Sequence, residues 1–279
     1  MYRLYIIAMK IILFLLFLPF NLLAIDPDRE YTLTPHSIGW EYEELTVTTE
    51  DGFDLNTWIY APNPDNEKDE VLILAYPDAG NMSFYVYHAS ILANLGYTVI
   101  TFDYRGFGKS SDFEIKPNNL FHLEFSNDLK AIVDFTKSRF QDKNIGIWAW
   151  SMGTMVTTYA FEEIKGNIDF LIYDAFVYNP ENHIQRIKSV KGKETFSPIK
   201  SEDYIQKWKA IDIPILLFAG KEDKITTAQD AKSNRYEFNI KPVIKIYDGG
   251  HLMGFQHEIE TRGFGNWYST KMDEFIQKK

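Results

Sequence analysis

Short runs of apolar residues recur along the chain and alternate with longer segments whose apolar positions repeat at helical spacing. The runs are rich in Ile, Val, Leu and aromatic residues and show little alternation with polar residues. Strands that are buried on both faces of a parallel sheet have this pattern. It predicts strands at 71–76, 98–102, 145–150, 170–173, 215–219 and 243–247, with helices at 84–95, 121–139, 152–164, 227–236 and 267–277.

A different pattern precedes these runs and predicts a β-hairpin. Segments 42–49 and 53–60 flank Asp51-Gly52, a dipeptide that favours tight hairpin turns. Strands and helices then alternate, and connections between parallel strands of one sheet are right-handed. The sequence therefore predicts one α/β domain with a mostly parallel, doubly wound sheet and an N-terminal antiparallel hairpin.

Residues 179–211 interrupt the alternation of strands and helices. The segment is polar, has no strand pattern and contains Tyr204 and Trp208. Long loops without secondary structure are uncommon in compact domains. We therefore predict a small cap inserted between two sheet elements, with a long surface loop as the alternative.

The N-terminus has the pattern of a targeting segment. Arg3 and Lys10 are followed by an apolar run from 11 to 25 that only Asn21 interrupts, and small Ala24 precedes polar Asp26. This order is typical of a secretory signal peptide. We expect residues 1–24 to be removed, leaving a mature domain of 25–279 that is exported to the periplasm or secreted. The alternative is a membrane anchor formed by residues 4–25, which would be the chain's only contact with a membrane.

Composition narrows the class of function. With 45% hydrophobic and 16% aromatic residues the chain has a globular profile, and its net charge of -10 argues against a nucleic acid as partner. The chain has no cysteine, which excludes disulfides, thiolate metal sites and a cysteine nucleophile. It also has no glycine-rich phosphate loop and no cluster of metal ligands, so we expect no cofactor and no metal.

The first candidate for chemistry is Ser151, which follows the apolar run 145–150 directly. Ala149 lies two residues before it, Gly153 lies two residues after it, and a helical pattern starts at Met152. A nucleophile elbow needs small residues at these two positions because its strand-to-helix turn is tight. Ala149 departs from the usual glycine. A serine that caps an ordinary helix would look the same, so both interpretations stay open on this motif alone.

Two further candidates follow later strand runs. Asp223 comes after the run 215–219, and His251 comes after 243–247. A serine nucleophile needs a base that contacts it and an acid that orients the base. Such distant residues meet only where strand ends converge on one rim of an open sheet. The rival acids are Glu222 and Asp248, and the rival base is His257.

With these motifs the chain resembles the α/β-hydrolase superfamily, whose triad has the chain order Ser, Asp, His. Over about residues 40–275 it looks like the serine-aminopeptidase-like and prolyl-oligopeptidase-like branch of single-domain esterases and peptidases. Segment 102–110, Phe-Asp-Tyr-Arg-Gly-Phe-Gly-Lys-Ser, is similar to the family's mainly structural turn after the fourth strand, so Arg105 is assigned no catalytic role. The resemblance implies serine-hydrolase chemistry, with Ser151 as nucleophile, His251 as base and Asp223 as the orienting acid.

The expected oxyanion loop departs from the family pattern, which has His-Gly before the donor residue. Here the chain has Tyr76-Pro77-Asp78. By position, the backbone N–H groups of Asp78 and Met152 would be the two donors. A carboxylate at Asp78 opposes a developing oxyanion unless it points away or is paired. Weak activity or an unusual substrate is therefore expected as one possibility.

Four aromatic residues are candidates for the substrate cleft. Trp150 precedes the nucleophile, Phe84 and Tyr85 follow the oxyanion loop and Trp208 lies in the cap; packing in the core is the alternative for all four. The sequence predicts a hydrolase that cleaves a carboxylic ester or thioester of a small molecule through an acyl-serine intermediate. A serine aminopeptidase-like peptidase and a catalytically weak binding protein of the same fold are the alternatives.

Overall fold

The protein is described by a computed structural model over residues 24–279. The predicted signal peptide, apart from Ala24, and the alternative anchor, apart from Ala24 and Ile25, lie outside the described residues. Within 24–279, none of the helices combines the length and apolarity that a membrane crossing requires.

The strands form an eight-stranded sheet and a small two-stranded one. The eight-stranded sheet has the order β10-β9-β8-β7-β4-β6-β3-β2, and β1 pairs with β5. All pairs from β10 to β6 are parallel, whereas β3 is antiparallel to both β6 and β2. The strands are β1 Asp26–Pro27, β2 Tyr42–Thr48, β3 Asp54–Tyr60, β4 Glu70–Ala75, β5 Ala79–Gly80, β6 Thr98–Phe102, β7 Asn144–Trp150, β8 Phe170–Asp174, β9 Ile215–Gly220 and β10 Val243–Tyr247.

The predicted fold class is confirmed, with every predicted strand run found in the sheet. Strands β4, β6, β7, β8 and β9 are buried along almost their whole length, which explains why their sequences lack alternation. The hairpin of β2 and β3 pairs Thr48 with Asp54 across the turn at Asp51-Gly52, where Gly52 has a φ of 85°.

Helices connect the parallel strands and cover the sheet. They are α1 Val86–Asn94, α2 Glu124–Arg139, α3 Met152–Ile164, α4 Pro180–Lys191, α5 Ser201–Lys209, α6 Ala228–Asn234, α7 Ile259–Arg262 and α8 Asn266–Ile276. Helix α3 lies in the core, and its neighbours α2 and α5 pack against it. Its N-terminus follows β7 directly, which positions the turn at Ser151.

Helices α4 and α5 occupy the segment in which the sequence predicts a cap, between β8 and β9. Helix α4 begins where the Asn179 side chain accepts a hydrogen bond from the Asn182 N–H, and it ends at Gly192 in the left-handed conformation. Helix α5 is anchored by Trp208, whose Nε1 donates to the Tyr178 carbonyl at 2.9 Å. The C-terminal end of α4 reaches the rim of the sheet where β7 ends.

Candidate active site

Ser151 lies in a strained turn between β7 and α3. Its φ is 48° and its ψ is -111°, a conformation that L-residues other than glycine rarely adopt. Its N–H donates to the Asp174 carbonyl at 2.9 Å, which fixes the turn to the neighbouring strand. A Cβ on Gly153 would lie 1.9 Å from the Ala75 carbonyl oxygen, so the residue two after the serine has to be glycine. Ala149, buried in β7, is accommodated at the other position.

The structure brings Ser151, His251 and Asp223 into one hydrogen-bonded chain. His251 Nε2 lies 3.0 Å from Ser151 Oγ, and His251 Nδ1 lies 2.7 Å from Asp223 Oδ2. Asp223 follows β9 and His251 follows β10, as the sequence predicts. With Nδ1 facing a carboxylate, the imidazole holds its proton on Nδ1 and presents Nε2 as the acceptor for the serine proton.

Neighbouring groups fix the Asp223 carboxylate. Its Oδ1 accepts from the N–H groups of Ile225 at 2.8 Å and Thr226 at 3.0 Å, and its Oδ2 accepts from Thr226 Oγ1 at 2.6 Å. Burial disfavours the charged form, but His251 and these hydrogen bonds outweigh it and lower the pKa of Asp223 to about 2. The carboxyl is therefore ionised at neutral pH and orients the imidazole.

The contact between Asp223 and His251 also shifts the pKa of the imidazole. Burial favours the neutral imidazole, but the charge of Asp223 and its hydrogen bond outweigh burial and raise the pKa of His251 above its ordinary value. Lys191 opposes this rise and Asp78 adds to it. His251 therefore takes up a proton more readily than an isolated histidine, as a general base must.

A cavity of about 260 Å³ opens at the reacting atoms. Apolar and charged side chains share its wall; it is lined by Asp26, Pro77, Asp78, Ala79, Tyr85, Ser151, His183, Ile187, Lys191, Lys193, Ile225, His251 and Leu252. A smaller cavity of about 30 Å³ adjoins Ser151 and is mostly apolar, with Leu120, Met152, Met155 and Ile187 in its wall beside Ala24. Ser151 Oγ thus faces a space that can hold a small substrate.

Both residues predicted to form the oxyanion hole border these cavities beside Ser151. Met152 is the first residue of α3, so its N–H belongs to the helix N-terminus, where partial positive charge accumulates. Asp78 is half-buried, and burial raises the pKa of its carboxyl, with Lys191, His251 and Lys193 acting in the opposite direction. The effect of burial is the larger, so the pKa of Asp78 lies above its ordinary value and its carboxyl is neutralised more readily than an exposed one.

Of the four aromatic residues predicted to line one substrate cleft, Tyr85 borders the larger cavity at Ser151 and the other three border neither cavity. Trp150 is 3% exposed and packs against Trp148 and Phe255 beneath the site. Phe84 and Trp208 do not border either cavity at Ser151. Trp150 lies in a strand that is buried on both faces, so its side chain points into the core. Trp208 borders a separate cavity of about 240 Å³.

The rival residues have other partners. His257 Nδ1 accepts from the Asp248 N–H at 3.2 Å, and the His257 ring packs on Trp267 at 4.5 Å. Asp248 is exposed and pairs with Lys221, whereas Glu222 is exposed in the same turn. None of these residues borders the cavities at Ser151.

Several site residues have no signal in the sequence. Thr226 Oγ1 lies 3.2 Å from His251 Nδ1 in addition to its bond to Asp223, and His183, Lys191 and Lys193 come from α4 and the residues after it. A histidine or lysine on a polar helix looks like a surface residue, and only the position of α4 over the rim brings these side chains to Ser151. Within residues 24–279, no cluster of three or more His, Asp or Glu side chains is arranged to hold a metal ion.

Known proteins are similar to parts or most of this chain. A family model described as serine aminopeptidase, S33, matches residues 69–201. The uncharacterized protein YfhR of Escherichia coli strain K12 is 25% identical over 244 residues, which cover 85% of this chain and 81% of YfhR. A probable dipeptidyl-aminopeptidase B of Pyrenophora teres is 30% identical over 168 residues, 51% of this chain but 18% of that longer protein.

Solved structures show the same fold. The Pyrococcus furiosus esterase Pf2001 superposes with a TM-score of 0.71 at 21% identity, over 91% of this chain and 99% of that one. XC6422 of Xanthomonas campestris, described as an α/β serine hydrolase without a lid, gives a TM-score of 0.61 at 18% identity, over 85% of this chain and 94% of that one. The chain therefore has the α/β-hydrolase fold, and its residues 69–201 are similar to the serine aminopeptidase family.

Proposed function

We propose that this protein hydrolyses a carboxylic ester or thioester of a small molecule through an acyl-enzyme on Ser151. The observation that carries the proposal is the unbroken chain from Asp223 through His251 to Ser151 Oγ, which ends at a cavity. Serine alone is a weak nucleophile, and this arrangement is the one that activates it.

The reaction follows from these positions. His251 Nε2 removes the proton from Ser151 Oγ as the oxygen attacks the substrate carbonyl, and the N–H groups of Asp78 and Met152 face the resulting oxyanion. Collapse of the tetrahedral intermediate breaks the bond to the leaving group, which takes the proton from His251. Water then attacks the acyl-serine with His251 again as base, releasing the acid and restoring the hydroxyl.

An aminopeptidase-like activity is the second candidate, because the carboxylates of Asp26 and Asp78 border the cavity and could hold a substrate ammonium. The glutamates of the predicted cap do not serve this purpose: Glu181, Glu194 and Glu202 are exposed and do not border it. A catalytically weak protein that binds the same ligands is the third, favoured by the carboxylate in the oxyanion loop.

A substrate panel with active-site labelling tests these candidates. The purified protein is assayed with p-nitrophenyl esters of increasing acyl length, a thioester and aminoacyl p-nitroanilides, and is labelled with a fluorophosphonate. We expect ester turnover and labelling on the peptide that contains Ser151, both absent in Ser151→Ala and both retained in Ser110→Ala, which alters a serine remote from the cavity. Turnover of anilides alone would favour the peptidase, and neither labelling nor turnover of any substrate would favour the binding protein.

The oxyanion assignment has its own test. Asp78→Pro removes the proposed N–H donor, whereas Asp78→Asn removes the charge and keeps the donor. We expect kcat of the proline variant to be about 10²–10³ lower than that of the asparagine variant. Equal kcat values in the two variants would show that the Asp78 N–H is not a donor.

We also propose export, which concerns residues outside the described range. N-terminal sequencing of the protein from its native host should find a chain that begins near Ile25. A membrane-bound chain that begins at Met1 would instead support the anchor.

A further inference from the structure

The segment directly after the predicted cleavage site is bound to the oxyanion loop. Strand β1 pairs in parallel with β5, in the register Asp26 with Ala79 and Pro27 with Gly80. The Asp26 N–H donates to the Asp78 carbonyl at 2.8 Å, and the Asp28 N–H donates to the Gly80 carbonyl at 2.9 Å. The chain of residues 26–28 therefore runs along the whole loop that carries the proposed oxyanion donor.

Further bonds fix this segment to the body of the protein. The N–H groups of Ala24 and Ile25 both donate to the Pro117 carbonyl, at 2.7 and 2.9 Å. The Asp28 carbonyl accepts from the Gly108 N–H at 2.9 Å and from Asn81 Nδ2 at 3.1 Å. Ile25 is fully buried in the hydrophobic core. The segment is thus held at both ends while its centre contacts the loop.

The segment also reaches the cavities. Asp26 borders the larger one and Ala24 the smaller one, each together with Ser151. Ala24, the last residue before the predicted cleavage, and Asp26 lie on either side of Ile25, which is fully buried in the core. This placement makes the segment part of the wall of the site.

From these contacts we infer that the backbone of residues 26–28 positions the oxyanion donor at Asp78. This inference rests on the proposed function. The ring of Pro77 fixes the φ of that residue, and the hydrogen bond from the Asp26 N–H fixes the Asp78 carbonyl, so the backbone is restrained before and after the Asp78 N–H. Between them they set the direction of the Asp78 N–H. Asp26 acts through its backbone N–H as a positioning residue for Asp78.

A pair of substitutions at one position isolates this hydrogen bond. Asp26→Pro removes the N–H and the carboxylate, whereas Asp26→Ala removes the carboxylate and keeps the N–H. Both are made in the full chain, and Asp26 is retained whether or not the chain is processed before Ile25. Loss of an oxyanion donor costs about 10²–10³ in rate, and a displaced donor costs a part of this. We expect kcat of Asp26→Pro to be at least about tenfold below that of Asp26→Ala, with KM equal within about twofold.

Two readouts separate positioning from loss of structure. Titration with the fluorophosphonate counts the competent serines, so kcat is expressed per folded molecule even if the proline variant folds in lower yield. The acid limb of the pH profile depends on His251 and Asp223 and should coincide in the two variants. Asp28→Pro against Asp28→Ala repeats the comparison for the bond to Gly80, where we expect a smaller loss in the same direction.

The outcomes are distinct from those of the proposed function. If the wild type neither labels nor turns over any substrate, the proposed function fails. If the wild type is active and Asp26→Pro has the same kcat per titrated serine as Asp26→Ala, the positioning inference is overturned and the proposed function stands. A lower kcat accompanied by a displaced acid limb would also overturn it, because the substitution would then have disturbed the triad.

Discussion

Two networks of charged groups lie in the turns after β6 and β7, strands that flank β4 in the sheet, and they differ in what their polar atoms face. After β6, Arg105 is 1% exposed and its guanidinium binds Asp128 and Asp51, with Nε to Asp128 Oδ1 at 2.8 Å and Nη1 to Asp51 Oδ2 at 2.7 Å. After β7, Ser151 and its partner His251 end at a cavity. In the first network the guanidinium is buried between two carboxylates, of which Asp51 is 40% exposed, whereas the second network leaves its reactive atoms facing a cavity.

The comparison shows that buried charge alone does not mark a functional site. The turn after β6 also contains Asp103, which accepts from the Tyr31 hydroxyl and from the Met82 N–H and whose pKa is raised to about 6 by burial. Asp103 has the shifted pKa that is expected of a catalytic group, yet the hydrogen bonds that its carboxylate accepts connect segments of the chain. The hydroxyl of Ser110, in the same turn, donates to the Asp103 carbonyl at 2.6 Å.

The largest effect should come from Ser151→Ala. Because the triad acts as a unit, we expect turnover of a short-chain p-nitrophenyl ester to fall by about 10⁶-fold. The substitution removes one hydrogen bond, to His251, so the free energy of unfolding should change by less than about 1.5 kcal/mol. Steady-state kinetics and urea unfolding measure the two quantities.

A matched substitution in the turn after β6 checks the assignment of Ser151 as the nucleophile. Ser110→Ala removes a hydroxyl from the turn after β6 and should leave kcat unchanged. More than about a tenth of the wild-type rate in Ser151→Ala would mean that the nucleophile is a different residue.

Arg105→Met should produce the opposite result, a large loss of stability with little change in activity. It leaves Asp128, which is fully buried, without its guanidinium partner. Removing one member of a buried ion pair costs about 3–5 kcal/mol, because a charge stays buried without compensation. Arg105 does not border the cavities at Ser151, so kcat per titrated serine should stay at the wild-type value.

The double variant Arg105→Met with Asp128→Leu separates charge from packing. If the loss comes from the unpaired Asp128 carboxylate, replacing it with an apolar residue should recover much of the stability. A double variant less stable than Arg105→Met would show that the network stabilises the turn through its shape and not through its pairing. A lower kcat per titrated serine would instead connect this network to the site.

The pH dependence of kcat/KM should show an effect of intermediate size. His251 acts as base in its neutral form, and its pKa is raised by Asp223 against the effect of burial. A raised pKa keeps the imidazole protonated to higher pH, so kcat/KM should fall about tenfold per unit on the acid side of a limb that lies above about pH 6.5. A flat profile from pH 5 to 8 would contradict a histidine base, and a limb below pH 6 would contradict the upward shift.

The sheet and the positions of Ser151, Asp223 and His251 at strand ends follow from the sequence for one physical reason. Strands buried on both faces need unbroken apolar runs, and the turn at Ser151 needs Gly153 because its Cβ would meet the Ala75 carbonyl. Both requirements are local, so they appear as local patterns. Asp223 and His251 could be assigned because each directly follows such a run.

The substrate cavity could not be predicted in the same way. Its wall combines α4, the oxyanion loop and the segment at Asp26, whose meeting depends on how the chain folds over the rim. Trp150 and Trp208 were expected there because aromatic residues are frequent in pockets, but such residues are equally frequent in cores. Their sequence neighbourhood does not distinguish the two, and in this fold both are packed inside.

The smallest effect we expect is on stability, and it compares the backbone of the two turns. Ser151 has a φ of 48°, where a side chain costs about 1–3 kcal/mol, whereas Ser110 is not among the residues of positive φ in 24–279. Glycine relieves this strain but costs about 0.5–1 kcal/mol through its freedom in the unfolded chain. Ser151→Gly should therefore be more stable than Ser151→Ala by about 1 kcal/mol, while Ser110→Gly should be less stable than Ser110→Ala. Urea unfolding of the four variants with equal slopes measures both differences. If the glycine variant were less stable than the alanine variant at both positions, the turn after β7 would store no strain. Its backbone would then be no harder for an ordinary residue to adopt than the turn after β6.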